Sequence, residues 1–282
     1  MKKSLTYAIM AILLIAGKVN AQDLPLDILK GGVNDANLIA NEYLRPYGEM
    51  LGVNLNSGWY NSAKVHKIGG FDITISGSYT TAPSSKESFD VSKLSFEQLE
   101  AMNGQTSAPT MAGAKNREIA FAHKDFPNQE LVKLNGSGLN TFVSPMIQGS
   151  VGLPFHTEIM GRFMPRVEYG DYGKAYMWGL GVKHSLKDYI PFVKRIPVLQ
   201  LSVLGAYTHF ESKLGVSSSV GSGNLETNAN AYTGRLLIGA NLPVVAFYSG
   251  IGYGNTKSNF DVVGEFTVGS EEIPDQGRNP GP

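Results

Sequence analysis

The 282-residue sequence contains no cysteine, so no disulfide can stabilise its fold. Its 24 basic and 24 acidic residues leave a formal net charge of zero, which gives no indication of a nucleic-acid partner. Beyond residue 16, no window holds the roughly 18 uncharged apolar residues of a membrane-spanning helix. These absences exclude a small disulfide-stabilised domain and a helical membrane protein, and they favour one large domain.

Motifs of catalysis are also lacking. We find no nucleophile elbow, no phosphate-binding loop and no pair of histidines at metal-binding spacing. The glycines of "GLGVKH" and "GIGYGN" alternate within predicted strands, whereas a nucleotide-binding loop needs a strand that leads into a helix. We therefore predict no enzyme activity, no cofactor and no metal site, although alternation alone does not exclude a barrel enzyme.

The N-terminus has the pattern of a signal peptide. Lys2 and Lys3 precede an apolar run at 5–16, and small residues precede a cleavage site after Ala21. The alternative is a membrane anchor, but the run is shorter than the ~20 residues that a spanning helix needs. We predict that residues 1–21 are removed after export.

Residues 22–55 predict a helical segment. In "ANLIANEYLRPYGEML", Ile39, Tyr43 and Tyr47 recur at helical spacing, and Pro46 is expected to kink or break the helix. Two interpretations stay open. The segment either covers one end of a sheet or forms a plug inside a barrel.

From residue 56 to 282 the pattern is that of a β-barrel domain. In "FDITISGSY", apolar and polar residues alternate strictly over one candidate strand. Most candidates exceed the roughly five or six residues of a soluble strand and suit a tilted membrane strand of about 9 to 11. The nine candidate strands are 57–66, 70–81, 143–153, 156–169, 173–184, 197–211, 228–241, 244–256 and 259–268.

The connections between these strands are unequal. Residues 82–140 lose the alternation and predict a long external loop with a short helix at "LSFEQLEAM". Residues 211–228 predict a second long, flexible loop. Residues 185–197 predict a small amphipathic helix on the side of the short turns. Short turns on one side and long loops on the other are typical of outer-membrane barrels.

The two faces of the strands indicate lipid outside and a polar interior. Large apolar residues such as Leu201 and Trp178 share one face, and the opposite face is small and polar with too few charges for a water-exposed surface. The alternative is a soluble periplasmic β protein. The predicted lumen-lining residues are Glu158, Arg162, Arg166, Glu168, Lys183 and Arg235.

Charges inside a barrel need partners, because an unpaired buried charge is costly. On the helical segment we predict three plug contacts, namely Asp35, Glu42 and Arg45. We expect residues 34–51 to lie inside the barrel, closest to Arg162 and Arg166. The alternative is a wet lumen in which the charges are solvated.

Several stretches resemble a family of Gram-negative outer-membrane β-barrels classed only as a domain of unknown function. They include "NEYLRPYGEMLGVNLNSGWYNSA", "GGFDITISG", "APTMAG", "GLPFHTEIMGRFMPRVEYGDYGKAYMWGLGVKHSLKDYIP" and "RIPVLQLSVLGAYT". The resemblance implies a barrel in the outer membrane, in contact with its lipid, and supplies no substrate. In outline, the N-terminal segment is also similar to the plug of long-chain fatty-acid transporters.

The sequence therefore predicts an all-β fold, an antiparallel transmembrane barrel of about eight to twelve strands with a helical plug. The ending "EEIPDQGRNPGP" has no terminal strand, so either the sequence is incomplete or the last strand is missing. The leading function is to pass or bind small hydrophobic molecules across the outer membrane. The alternatives are an adhesive or structural barrel that acts through its long loops and the soluble periplasmic protein.

Overall fold

The structure is a computed structural model that describes residues 25–168, 173–218, 220–242, 244–268 and 271–273. The chain is mostly β, with 55% of it in strands, an N-terminal helix and a curled antiparallel sheet that forms a half-barrel. The predicted signal peptide and the last nine residues lie outside the described residues.

The curled sheet has eight strands, and each of them pairs antiparallel with its neighbours. In the order of pairing they are β1 (Phe71–Thr81), β7 (Thr141–Leu153), β8 (Thr157–Glu168), β9 (Gly173–Ser185), β10 (Leu199–Ser218), β11 (Gly221–Asn241), β12 (Ala246–Val268) and β13 (Glu271–Ile273). Among the described residues, no ladder joins β1 to β12 or β13.

The two faces of the sheet differ as the alternation of apolar and polar residues predicts. On β1, Phe71 is 73% exposed and Ile73 is 72% exposed, while the polar residues between the apolar ones point toward the concave side and are half-buried. The same holds along the sheet, where bulky apolar side chains are exposed on the convex face: Ile159, Phe163, Trp178, Leu180, Val182, Leu236, Ile238, Ile251 and Tyr253. The convex face is therefore the apolar one.

Helix α1 (Val33–Asn56) lies on the concave side and contacts strands β1, β7, β10, β11 and β12. A 3-10 helix at Leu26–Gly31 precedes it. The helix continues through Pro46, so of the predicted kink or break the break is wrong. Burial of side chains all along the helix outweighs the backbone hydrogen bond that proline removes.

Residues 82–140 form a folded unit, which we name the cap, and not an irregular loop. It contains β2 (Ser88–Asp90), β3 (Leu99–Ala101), β4 (Ser107–Pro109), β5 (Glu118–His123) and β6 (Glu130–Asn135) in two small antiparallel sheets. The helix predicted at "LSFEQLEAM" is wrong, because this stretch contributes β3. Leu99, Phe121 and Leu134 are buried with Ile39 and Tyr43 of α1 in one core.

Two more predictions about strands are corrected. The predicted loop at 211–228 belongs to β10 and β11, whose ladder runs unbroken from Leu199–Ala240 to Ser218–Gly221. The predicted strands 244–256 and 259–268 form the single strand β12. At the opposite end from the cap, the predicted amphipathic helix is the short α2 (Pro191–Lys194) after a 3-10 turn at Lys187–Tyr189, with Phe192 exposed and Val193 buried.

Candidate functional site: the inner face of the sheet and the groove beside α1

A buried ion pair lies on the inner face of β8 and β9. The Lys183 ammonium contacts the Glu158 carboxylate at 2.9 Å, and the two side chains are 3% and 2% exposed. The two residues are direct neighbours in the ladder. The other carboxylate oxygen accepts from the backbone N–H of His66 at 2.9 Å and lies 2.8 Å from its Nδ1. Each charge therefore has a partner, as burial requires.

Arg162 binds the C-terminal end of α1. Its guanidinium donates to the carbonyl oxygen of Ser57 at 2.7 Å, to that of Leu55, and to Oγ1 of Thr208. The last carbonyl groups of a helix have no partner within the helix and carry partial negative charge. A buried arginine from the sheet therefore fixes the position of this helix end.

Arg235 on β11 reaches the same helix end. Its Nη2 donates to the carbonyl oxygen of Asn56 at 3.1 Å, and its guanidinium lies 5.9 Å from the centre of the Tyr60 ring. Two sheet arginines thus satisfy three consecutive carbonyl groups at residues 55–57. Among the predicted lumen-lining residues whose side chains the structure describes, Arg162 and Arg235 are the two that contact the helix end.

Trp59 fills the space that inward glycines leave. The indole is 1% exposed and lies 4.0 Å from the Arg162 guanidinium. A Cβ built on Gly179 or Gly181 would come within 3.0 Å or 2.9 Å of the ring. The glycines of the inner face therefore accommodate the irregular segment 57–70, which the sequence predicts in part as a strand at 57–66.

A groove runs between α1 and the inner face of β11 and β12. Its volume is about 740 Å³. Two arginines and one glutamate are the charged residues among those that line it. The lining residues are Arg45, Gly48, Glu49, Gly52, Val53, Asn56, Ser57, Arg235, Gly254, Thr256, Ser258 and Phe260.

Two polar atoms at this groove lack hydrogen-bond partners among the described residues. Asn56 is 8% exposed, and its Nδ2 donates to the Gly52 carbonyl and to Oγ1 of Thr256, each at 2.8 Å. Its Oδ1 is buried without a donor, and Nε of Arg235 is buried without an acceptor. Both atoms have almost no accessible surface, so they belong to the buried contact between the helix end and the sheet.

Arg166 does not join the other predicted lumen residues. Between Met164 and Val167 the ladder of β8 shifts register, so that two residues of β8 oppose one residue of β9. Arg166 is one of the two residues in this bulge; it is exposed, and its guanidinium lies 5.6 Å from the centre of the Tyr176 ring. Glu168 pairs by register with Lys174, and its side chain lies outside the described part of the structure.

The three predicted plug residues have other contacts than those expected. Asp35 is 1% exposed and accepts the backbone N–H groups of residues 97, 98 and 99 in the cap, at 2.7 to 2.8 Å. Glu42 and Arg45 form an ion pair with each other. Helix α1 does lie against the inner face, but Arg162 meets residues 55–59 and not 34–51, because the helix runs from the cap to the far end of the sheet.

The sequence analysis missed Asn56, Trp59, His66 and Thr208. Inward glycines opposite bulky apolar positions were visible in the sequence and could have indicated that a large side chain packs on them. The partners of Arg162 and Arg235 could not be predicted, because the residue types of a sequence do not show which backbone carbonyl groups a side chain will bind.

The described residues contain no cluster of acidic or histidine side chains suited to a metal ion. Among the helices in the described ranges, none has the length and apolar character needed to cross a membrane.

The geometry defines a class of protein in which a curled antiparallel sheet, apolar outside, encloses a helix and a charged inner face. The chain belongs to a family described as "Family of unknown function (DUF6588)", whose model matches residues 1–280. No curated protein and no solved structure matches the chain. Family membership confirms the part of the resemblance that pointed to an uncharacterised family, while the outer-membrane relationship stays a prediction.

Proposed function

We propose that the protein resides in the outer membrane of a Gram-negative bacterium and binds a small molecule in the groove beside α1. The observation that carries the membrane assignment is the exposed apolar convex face of the sheet. Bulky apolar side chains cover the convex face, whereas the Glu158–Lys183 pair and Arg162 are buried on the concave one.

The concave face also buries apolar side chains against α1 and Trp59, as the core of a soluble protein does, so the exposed convex face is what distinguishes the two classes. Soluble monomers rarely expose contiguous apolar patches larger than a few hundred Å². Here exposed Phe, Ile, Leu, Val and Trp side chains follow one another across β1, β8, β9, β11 and β12. Hydrocarbon is the solvent that suits such a face, because it removes the apolar surface from water.

The strands are also long enough for this role. β10, β11 and β12 have 20, 21 and 23 residues, about twice the 9 to 11 that a tilted strand needs to cross the hydrocarbon core. The excess length extends on the side of the cap. In lipid an open edge of the sheet would leave backbone groups unsatisfied, so the proposal includes closure of the half-barrel into a barrel in the membrane.

The groove supports the binding role. Its volume lies in the range of about 300 to 1,000 Å³ that is usual for small-molecule sites. Its charged and amide groups favour a ligand more polar than the hydrophobic molecule expected from the sequence. The cap closes over the N-terminal half of α1, and an ion pair between Lys86 and Glu49 joins the cap to the rim of the groove.

A matched pair of arginine variants tests the membrane assignment. Ile75 is 50% exposed on the convex face at mid-strand, and its neighbour Ser76 points inward. We expect Ile75→Arg to destabilise the protein folded in lipid vesicles by about 2–4 kcal/mol, because a charge in mid-membrane is poorly solvated. Ser76→Arg, at the concave face, is expected to destabilise the folded protein less.

The measurement is urea-dependent folding into vesicles, followed by the fluorescence of the native tryptophans. Equal losses for Ile75→Arg and Ser76→Arg would contradict the assignment of the faces. The adhesive barrel and the soluble periplasmic protein stay alternative hypotheses. Recovery of the chain in the soluble fraction without detergent would favour the soluble alternative.

A further inference from the structure

Four connecting segments at the end of the sheet opposite the cap form an exposed rim. They are residues 66–70, 154–156, 186–198 and 244–245. We infer that this rim binds anionic phospholipids, with its apolar tips between the headgroups and the acyl chains of the periplasmic leaflet. The inference rests on the proposed position in the outer membrane and adds the depth of the molecule and the class of lipid that it contacts.

Each segment of the rim exposes a large apolar side chain. Val244 is 93% exposed, Phe155 is 86%, Ile68 is 74% and Phe192 is 72%. In the cap, by contrast, Phe126 is the one large apolar side chain that is exposed among residues 82–140. Four such tips at one end of the molecule favour contact with a membrane interface, which takes up apolar and aromatic side chains next to polar ones.

The backbone of the turn at Phe155 supports the same conclusion. Phe155 and His156 have positive φ angles of 62° and 53°. A bulky residue adopts this left-handed conformation at a cost in free energy that glycine or asparagine would reduce. In water the exposure of the Phe155 ring would add to this cost, whereas a membrane interface removes the ring from water and offsets the strain.

The rim also continues the apolar convex face of the sheet. On β9, Val182 is the last apolar residue of that face, and His184 follows it on the same side. Nε2 of His184 lies 3.2 Å from the hydroxyl oxygen of Tyr189, a 67% exposed residue of segment 186–198. The rim therefore begins where the proposed hydrocarbon-facing surface ends, at the level where headgroups are expected.

The charges of the rim select the class of lipid. The chain as a whole has no net charge, but the rim contains one carboxylate, that of Asp188, and four cations, which are Lys67, Lys187, Lys194 and Arg195. Asp188 lies 3.6 Å from Nζ of Lys194, while Arg195 is exposed. Each basic side chain near an anionic membrane surface strengthens association about fivefold. The phosphate groups of anionic phospholipids therefore complement the rim.

Depth-dependent quenching tests the position of the rim. The native chain has no cysteine, so Phe155→Cys and Val244→Cys each carry a single fluorophore. The full chain is folded into vesicles whose lipids carry a nitroxide either near the headgroup or deep in the acyl chain. We expect the shallow nitroxide to quench both rim labels more strongly than the deep one does. A label at Ile75→Cys, in the middle of β1, is expected to show the reverse order.

A second measurement tests the class of lipid. Phosphatidylcholine vesicles receive equal small fractions of either nitroxide-labelled phosphatidylglycerol or nitroxide-labelled phosphatidylcholine. We expect quenching of the label at 155 to show that phosphatidylglycerol is enriched about two- to fivefold at the rim. Arg195→Gln is expected to lower this enrichment about twofold. Arg117→Gln makes the same chemical change at an exposed residue of the cap and is expected to leave the enrichment unchanged.

The outcomes separate the rim from the proposed membrane position. If the label at 75 is quenched and neither rim label is, the rim projects into water, and the inference is wrong while the membrane assignment stands. If none of the three labels is quenched, the membrane assignment is contradicted as well. Equal quenching by the two nitroxide lipids, or unchanged enrichment in Arg195→Gln, would contradict the selection of anionic phospholipids. Circular dichroism of each variant confirms that it has folded before quenching is measured.

Discussion

At the scale of single residues, the buried arginines of the inner face are organised around the end of one helix. Arg162 and Arg235 donate to the carbonyl groups of Leu55, Asn56 and Ser57. Because cations near a helix C-terminus interact favourably with its partial negative charge, both arginines stabilise α1 against the sheet. The sequence pattern predicted both arginines on the inner face, but it expected Arg162 to lie closest to residues 34–51 of the helix and not to the backbone at the helix end.

Glycine on the inner face has a packing role that a substitution can measure. A Cβ at Gly181 would meet Trp59 at 2.9 Å and Ala206 at 3.2 Å, whereas a Cβ at Gly205 on the convex face would meet nothing within 4 Å. We expect Gly181→Ala to lower the free energy of unfolding by about 1–3 kcal/mol, because the core is overpacked.

Gly205→Ala is the matched control, and we expect its free energy of unfolding to stay within about 1 kcal/mol of the native value. Chemical denaturation in detergent, followed by the fluorescence of the two native tryptophans, measures both variants. Equal stability of Gly181→Ala and the native chain would show that the indole does not pack on this glycine.

At the scale of elements, α1 is held at both ends, by the sheet at its C-terminus and by the cap near its N-terminus. The Asp35 carboxylate accepts three consecutive backbone N–H groups of the cap. Near the middle, the backbone N–H of Met111 donates to the Tyr43 carbonyl at 3.0 Å. The cap, the helix and the sheet thus form one connected core, and the groove lies along a helix that has little freedom to move.

Removing the Asp35 carboxylate is expected to loosen the cap. Asp35→Ala leaves three backbone N–H groups without an acceptor, and each unsatisfied buried group costs about 1–3 kcal/mol. We expect faster amide hydrogen exchange at residues 97–99 and faster proteolysis of 82–140. Asp125→Ala, at a side chain that is 78% exposed in the same cap, is the control. Unchanged exchange in Asp35→Ala would contradict the fastening role of this carboxylate.

The elements differ in how well the sequence predicts them. The alternation predicted β1, β7, β8 and β9 closely, because each of these strands has one apolar and one polar face, a local property of the chain. It failed at 211–228, where Ser- and Gly-rich segments are strands only because they pair with each other over an unbroken register. It failed in the cap, where short strands depend on packing against α1, since strand propensity depends on context.

At the scale of the whole molecule, a curled sheet with exposed apolar side chains on its convex face curves around a helix. The sequence predicted that the large apolar residues lie on the outer face of the sheet and that the helix lies on the inner side. It could not predict the groove, because the groove exists only where Gly48 and Gly52 of α1 approach Phe260 and Thr256 of β12, residues about 200 positions away. Nor could it predict the bulge that turns Arg166 away from Arg162, since no residue type specifies where a ladder shifts its register.

The central claim is that the convex face contacts lipid, and site-specific quenching tests it most directly. The native chain has no cysteine, so Ile75→Cys and Ser76→Cys can each carry one fluorophore. In vesicles with nitroxide groups on the acyl chains, we expect strong quenching of the label at 75 and weak quenching at 76, because successive side chains point to opposite faces of a strand. Equal quenching at the two positions, or none at either, would contradict the account.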